Sequence, residues 1–420
     1  MIFFNGIISI KTIVFLTFSV FAVAAVGYLL GRVKVKGVNL GTAGVFILAL
    51  VYGCFLYAHL GAQLKLGEAT YVSNALKIVE NLGLVLFVTS VGFIAGPSFF
   101  KNLKANFKSY VLLGVIIIGS AVGVTLAIYY IGRGSSNIAL ENGGTQAEGF
   151  KSMLVGILSG ALTSTPAFSA AKEAVVEMAA GNKDLANEYE NLVAVGHGIA
   201  YLFGVIGVVL FVQLTPKFSK ANMEEERQKI TAAADGKKDE SEKKRFELDE
   251  FGFCPFAIAA ILGIFVGSVN YAGFSLTTTG GCLLAALVLG HFGHIGRVSL
   301  LPKTGTLKVF RELGLMLFLI GAGIAGGSSF VKYFNAVYFV YGVVMTIVPM
   351  VIGFFFAKYV LKLPLLNNLG SITGGMTSTP ALGTLISTAG TENVASAYAA
   401  TYPIALIAIV LASKLIVQFC

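Results

Sequence analysis

The chain has 420 residues, 56% of them apolar and 12% charged, a formal net charge of +9 and a mean hydropathy of +0.82. A soluble domain carries roughly 25% charged residues; half that share cannot cover a water-facing surface, which excludes a soluble enzyme. The positive balance does not imply nucleic acid, because Lys and Arg gather on the cytoplasmic loops of membrane proteins.

The first apolar run, TIVFLTFSVFAVAAVGYLLG at 12–31, reaches the roughly 20 residues that an α-helix needs to cross about 30 Å of hydrocarbon. It reads as a span and not as a leader, since Lys11 is the one charge before it and the run exceeds a leader's apolar region. Apolar segments follow at 39–60, 80–97, 109–132, 153–171 and 191–214. Residues 217–250 then mix both charge signs with few apolar side chains, the composition of a solvated linker that is partly helical at best. Apolar segments resume at 252–270, 275–295, 312–328, 335–360, 369–389 and 394–418. The predicted fold class is an all-α polytopic membrane protein, with one transmembrane repeat at 1–216, a cytoplasmic linker at 217–250 and a second repeat at 251–420. Cys54, Cys254, Cys282 and Cys420 are scattered, without disulfide or metal-ligand spacing.

The two sets of segments match in order. NLGLVLFVTSVGFIAGPSFFKN at 81–102 parallels ELGLMLFLIGAGIAGGSSFVKY at 312–333, and residues 27–44 parallel 263–280, both without a gap. Equivalent loops carry opposite basic bias. Arg32, Lys34 and Lys36 follow the first segment of the first half, whereas Arg297, Lys303, Lys308 and Arg311 follow the second segment of the second. Inverted repeats under the positive-inside rule require this reversal. An inverted repeat needs an odd number of crossings, so one of the six segments per half must enter and leave on one side. The expectation is two inverted repeats of five transmembrane helices, each with a broken or re-entrant helix, with the linker cytoplasmic and both termini outside. Twelve full crossings give a weaker split of basic residues.

The segment chosen as re-entrant carries TSTPA, at 163–167 and again at 377–381. Thr before Pro is a helix-start signal: a hydroxyl caps free N–H groups, and Pro fits the first turn, where its missing N–H costs nothing. Each motif follows a run rich in small residues, so it marks a break between two short helices. At membrane depth such a break offers hydroxyls and the electropositive end of a helix to an anion. The predicted substrate-binding residues are Thr163, Ser164, Thr165 and Pro166 with Thr377, Ser378, Thr379 and Pro380, the substrate lying between the two motifs. The plainer alternative is a pair of caps at the membrane edge.

Other polar signals are weaker. His197 follows the first motif, with Tyr398 at the matching place, and Tyr201 and Tyr402 are equivalent; His197, Tyr201 and Tyr402 are candidates to line a cavity, against simple packing of a neutral imidazole. Gly92, Gly96, Gly323 and Gly327 are further lining candidates, although their spacing is also that of close helix packing. Glu80 and Glu312 near segment entrances read as snorkelling side chains. Every aspartate falls in a loop or the linker, and neither HExxH nor a Walker A sequence occurs, so no catalytic or metal residue is assigned.

At these residues the sequence resembles the aspartate–alanine exchanger family of bacterial secondary transporters: the duplicated TSTPA after a Gly-rich segment, LGTAG at 40–44 and TYP at 401–403. The resemblance covers both halves. It implies an antiporter exchanging aspartate, alanine, succinate or similar small amino acids and dicarboxylates across the bacterial inner membrane, with TSTPA as the signature. Many members of that family carry a large cytoplasmic regulatory region between the halves, where this chain has only 217–250. Alternating access is expected in an elevator-like way. A sodium- or proton-coupled symporter of organic anions and a passive channel are the rival readings. No cofactor is expected beyond a coupling Na+ or H+. The expected partners are a small anionic or zwitterionic substrate, the lipid bilayer and a second copy in a homodimer, with no nucleic acid.

Overall fold

The computed structural model describes residues 2–3, 8–9, 11–35, 38–39, 42–66, 69–134, 136, 138–219, 221–231, 246–271, 274–275, 277–391 and 393–420. Leu40 and Gly41 of LGTAG, and residues 232–245 of the linker, lie outside this set; of Thr379 and Pro380 the backbone alone is described.

The described residues are nearly all helical. The first half runs α1 (Thr12–Gly31), α2 (Ala43–Gln63), α3 (Val72–Asn106), α4 (Leu112–Gly132), α5 (Gln146–Ala161), α6 (Thr165–Met178) and α7 (Lys183–Phe218). A linker helix, α8 (Met223–Thr231), follows. The second half runs α9 (Phe253–Ser268), α10 (Thr277–Phe292), α11 (Thr304–Tyr333), α12 (Ala336–Phe355), α13 (Leu365–Gly375), α14 (Thr379–Ala389) and α15 (Val394–Phe419). Among the described residues eight helices are long and apolar enough to span a membrane, namely α1–α4, α7, α11, α12 and α15, and α9 and α10 are shorter apolar helices. Large apolar side chains such as Phe55, Ile131, Ile261 and Phe265 face outward, as a lipid-facing surface requires. The protein is a multi-pass α-helical membrane protein.

Exchanging the halves leaves the packing pattern unchanged. α1 lies on α2 as α9 lies on α10; α10 packs on α3 as α2 packs on α11; α5 packs on α7 as α13 packs on α15. α3 and α11 cross at Gly83 and Gly314, where a Cβ on either would stand 2.6 Å from the other's carbonyl oxygen. One sequence-level pairing needs correction. A Cβ on Gly44 would meet Gly27 O and Gly31 N, and one on Gly281, not Gly280, would meet Gly263 O and Gly267 N. The two-residue strand pairs at 34–35/38–39 and 270–271/274–275 keep the ungapped register, so the second half gains one residue between that turn and the glycine, Gly281, that packs on its first helix.

Helix contacts divide the molecule into two groups. α1–α3 with α9–α11 form one; α4–α7 with α12–α15, which carry both motifs, form the other. The groups meet mainly where α7 lies on α11, α15 on α3 and α6 on α10.

Candidate functional site

Both TSTPA motifs break a helix. Thr163 and Thr377 have φ of 53° and 50°, the left-handed region, where a β-branched side chain is strained. Around each, two main-chain bonds close the preceding helix: Thr163 N donates to Gly160 O and Ser164 N to Ser159 O, as Thr377 N does to Gly374 O and Ser378 N to Thr373 O. This is the Schellman cap, whose left-handed position is ordinarily glycine. Ser164 and Ser378 then turn into the next helix with φ/ψ of −99°/97° and −93°/96°, and Pro166 and Pro380 occupy its first turn. The Ser164 hydroxyl accepts from Ala167 N at 3.3 Å. The Ser378 hydroxyl is fully buried and has no partner among the described residues.

The two turns touch. Thr163 Oγ1 donates to Met376 O at 3.1 Å, and Thr377 Oγ1 donates to Leu162 O at 2.8 Å. Each threonine thus satisfies the carbonyl just before its counterpart. Thr346 Oγ1 on α12 lies 3.2 Å from the next carbonyl, Ala161 O, and shares its one hydrogen with Gly342 O at 2.8 Å. Irregular backbone is tolerated at membrane depth where protein provides such partners. Thr163, Ser164, Thr165, Thr377 and Ser378 are all buried, so in this conformation the two tips meet directly at Thr163 and Thr377.

Each motif joins a helical hairpin, α5–α6 in the first half and α13–α14 in the second, and the bases of the two hairpins lie at opposite ends of α7. At its start, Asn182 Nδ2 donates to Asn142 O and the Glu188 carboxylate accepts from Glu141 N and Asn142 N; the chain entering α5 and the chain leaving α6 are therefore together there. Past its end, α8 holds both feet of the second hairpin with adjacent residues. Glu226 Oε2 accepts from Leu365 N at 2.8 Å, and Arg227 Nε donates to Ala389 O at 2.6 Å. Each side chain sits at the helix end whose partial charge it complements. Between the bases runs α7, 36 residues and about 54 Å long at 1.5 Å per residue.

Behind the first tip, the His197 ring lies between Phe168 and Tyr201, with centroids 4.1 and 4.9 Å away, and meets Phe46 edge-on at 5.3 Å. Ser159 Oγ donates to Gly156 O at 2.7 Å and lies 2.8 Å from His197 Nδ1. The hydroxyl hydrogen is spent on the carbonyl, so Nδ1–H is the donor to Ser159. Nε2 then carries a bare lone pair with no partner among the described residues. Tyr398 and Tyr402 stack at 5.1 Å in the matching place, and Gly374 faces Tyr398 O and Tyr402 N as Gly160 faces His197 O and Tyr201 N. The glycines lie elsewhere. Gly92 and Gly96 press α3 onto Ala286, Leu287 and Gly290 of α10, and Gly323 and Gly327 press α11 onto Ala49, Leu50 and Gly53 of α2. Their positions are helix crossings between the halves, the packing reading.

Charged residues on α6 escaped the sequence reading. Lys172 and Glu80 form a buried ion pair at 2.5 Å, which corrects the snorkelling account of Glu80; Glu312 is half exposed, beside Arg311. Ser169 Oγ lies 2.7 Å from Thr279 Oγ1, Glu173 accepts from Thr279 N, and Glu177 pairs with Lys414. A signal was present: Lys172 lies two turns beyond Thr165, about 10 Å along a helix, so a helix that starts at mid-depth still holds it inside the membrane.

The Asp-Al_Ex family model, described as "Predicted Permease Membrane Region", matches residues 19–217 and 255–418. Among curated proteins, an uncharacterized transporter of Bacteroides thetaiotaomicron is 24% identical over 94% of this chain and 96% of its own length. One of Desulfotalea psychrophila is 23% identical over 95% and 96%. One of Geobacter sulfurreducens is 32% identical over 51% of this chain and 33% of its own length. The alignment to the Bacteroides protein runs over 556 positions against 420 residues here, so that relative has residues this chain lacks. The match of the family model to both halves, on either side of the linker, makes this chain a membrane transporter of the Asp-Al_Ex permease family.

Proposed function

We propose that the protein is an antiporter of the bacterial inner membrane that exchanges small amino acids or dicarboxylates, such as aspartate, alanine or succinate, by alternating access. The carrying observation is the tip-to-tip meeting of Thr163 and Thr377, each held in a strained left-handed conformation and each donating to the other turn's carbonyl. Strain of about 1–3 kcal/mol per residue persists where function requires it, and glycine would relieve it at the cost of the hydroxyl. In the substrate-bound state a carboxylate replaces the two carbonyls as acceptor. The unpartnered Ser378 hydroxyl adds a third donor, and the first turns of α6 and α14, opened by Thr165–Pro166 and Thr379–Pro380, add electropositive helix ends.

Two inverted repeats of five crossings fit the helix inventory, since the eight long and two short apolar helices number ten without α5, α6, α13 and α14. Hairpin bases at opposite ends of α7 fit the same reading. The linker is then cytoplasmic and both termini are outside. The division into two helix groups supports an elevator in which α4–α7 and α12–α15 slide against α1–α3 and α9–α11.

Counterflow in proteoliposomes tests the proposal. Labelled aspartate, alanine or succinate should enter only vesicles loaded with a partner substrate. Entry that needs an ion gradient instead establishes symport, and flux indifferent to internal solute establishes a channel. Thr163→Gly with Thr377→Gly should still fold, the relieved strain offsetting the carbonyls left without a donor, and lose exchange by about 100-fold, on the order of two hydrogen bonds to a charged group; normal exchange by a folded variant removes the site assignment.

A further inference from the structure

Lys172 and Glu80 are not alone at the boundary between the two helix groups. Lys77 Nζ lies 2.9 Å from Glu190 Oε2, and all four side chains line one cavity of about 90 Å³, whose walls Tyr57, Ser73, Asn187 and Asn191 complete. The pairing is crosswise. Lys77 and Glu80 stand on α3, in the group without motifs; Lys172 on α6 and Glu190 on α7 belong to the motif-bearing group. Each group therefore contributes one cation and one anion, and each ion pair bridges the boundary.

The fold does not need the buried pair. In the second half Arg311 stands where Glu80 does, in the register set by Gly83 and Gly314, and Ile386 stands where Lys172 does. Ile386 packs beside Leu385 against apolar neighbours. A buried ion pair is commonly no more stabilising than apolar side chains of similar size, while a buried charge that loses its partner is costly. A simple slide between the groups would strand the buried Lys172 and Glu80 and unpair the more exposed Lys77 from Glu190. Their arrangement avoids this, because each has a second partner on its own group. Lys77 and Glu80 are three residues apart on α3, the spacing at which helix side chains meet. Glu190 faces the same cavity as Lys172 and Glu80. The cavity has room for a few water molecules to solvate the heads while they change partners.

We propose that Lys77, Glu80, Lys172 and Glu190 form a partner-exchanging latch. In the present conformation the pairs are Lys172–Glu80 and Lys77–Glu190; after the motif-bearing group slides they are Lys172–Glu190 and Lys77–Glu80, so no charge is orphaned in either state. The proposal rests on the sliding motion of the previous subsection.

Charge reversal separates a latch from a structural pair. Lys172→Glu with Glu80→Lys keeps the present pairs but places two anions on one group and two cations on the other, which penalises the slid state. Exchange in proteoliposomes should fall at least tenfold, the change that 1.4 kcal/mol makes in an equilibrium. Backbone amide hydrogen exchange over 165–178 should slow. Adding Lys77→Glu and Glu190→Lys restores the alternating pattern and should restore both readouts. A double variant that behaves as the native chain overturns the latch, as does a folded quadruple variant that stays as slow as the double. Should the double variant not fold, Lys77→Met with Glu190→Gln decides: it removes the second partners and should slow exchange by about tenfold, and a native rate refutes the proposal. If the native chain exchanges none of the substrates, the antiporter reading fails, while the amide-exchange comparison still decides the latch.

Discussion

Along the first hairpin, Lys172 reaches Glu80, Glu173 accepts from Thr279 N and Glu177 holds Lys414. The second hairpin presents Leu385 and Ile386 to an apolar cluster with Val212, Leu366 and Leu369, and is gripped at its feet by Glu226 and Arg227. The turns between the paired helices match to within a few degrees. Turn geometry is thus common to both halves, whereas the attachment of each hairpin is its own. The first is held by directional, charged contacts along α6, and the second is packed on apolar side chains and gripped where α8 meets its feet.

The sharpest way to break that comparison is at the equivalent positions Lys172 and Ile386. Lys172→Met leaves the Glu80 carboxylate buried without its partner and should cost about 3–5 kcal/mol. Ile386→Met should cost less than about 1.5 kcal/mol. Thermal unfolding in detergent measures both, and equal losses would mean that the hairpins are held alike. At the tips, Ser164→Ala removes a helix cap worth about 1 kcal/mol, whereas Ser378→Ala removes a hydroxyl that caps nothing and should leave the melting temperature unchanged while weakening substrate affinity. Arg227→Ala should loosen the feet of the second hairpin alone, seen as faster amide exchange at 386–390 with 165–178 unchanged; the expected loss is about 0.3–1 kcal/mol, that of a cation at a helix end.

The smallest effect concerns the entry to the second half. Asp249 accepts main-chain hydrogen bonds from Cys254, Phe253 and Phe251, and these hold its carboxyl below the usual aspartate range. A lowered folded-state value means that the contribution is complete above the ordinary aspartate pKa and is lost as pH falls through the lowered one. The protection factor of the amides at 253–256, the unstructured chain's exchange rate over the observed one at the same pH, should fall in that acidic window and should not change with pH in Asp249→Asn.

Much of this was legible in the sequence for physical reasons. Spans announce themselves because hydrocarbon tolerates few charges, and Ser-Thr-Pro after small residues signals a broken helix because capping and proline geometry are local. The partners of the tip hydroxyls were not legible, since Thr163 and Met376 are far apart in sequence and the position that strains Thr163 ordinarily takes glycine. The segment boundary hid Glu80: the apolar run begins at 80, but α3 begins at Val72, which places Glu80 two turns inside. The extra residue in the second half was hidden by Gly280–Gly281, where either glycine matches Gly44 and only packing against Gly263 and Gly267 chooses between them.

Four residues join the end of α7 to the start of α8, and two neighbouring side chains of α8, Glu226 and Arg227, hold both feet of the second hairpin. An insertion after Thr231 leaves that short tether intact, so 232–245 is the stretch where a reporter or a folded cargo can be spliced with transport preserved. The same splice between Phe218 and Met223 would lengthen the tether and release α13 and α14 at their roots.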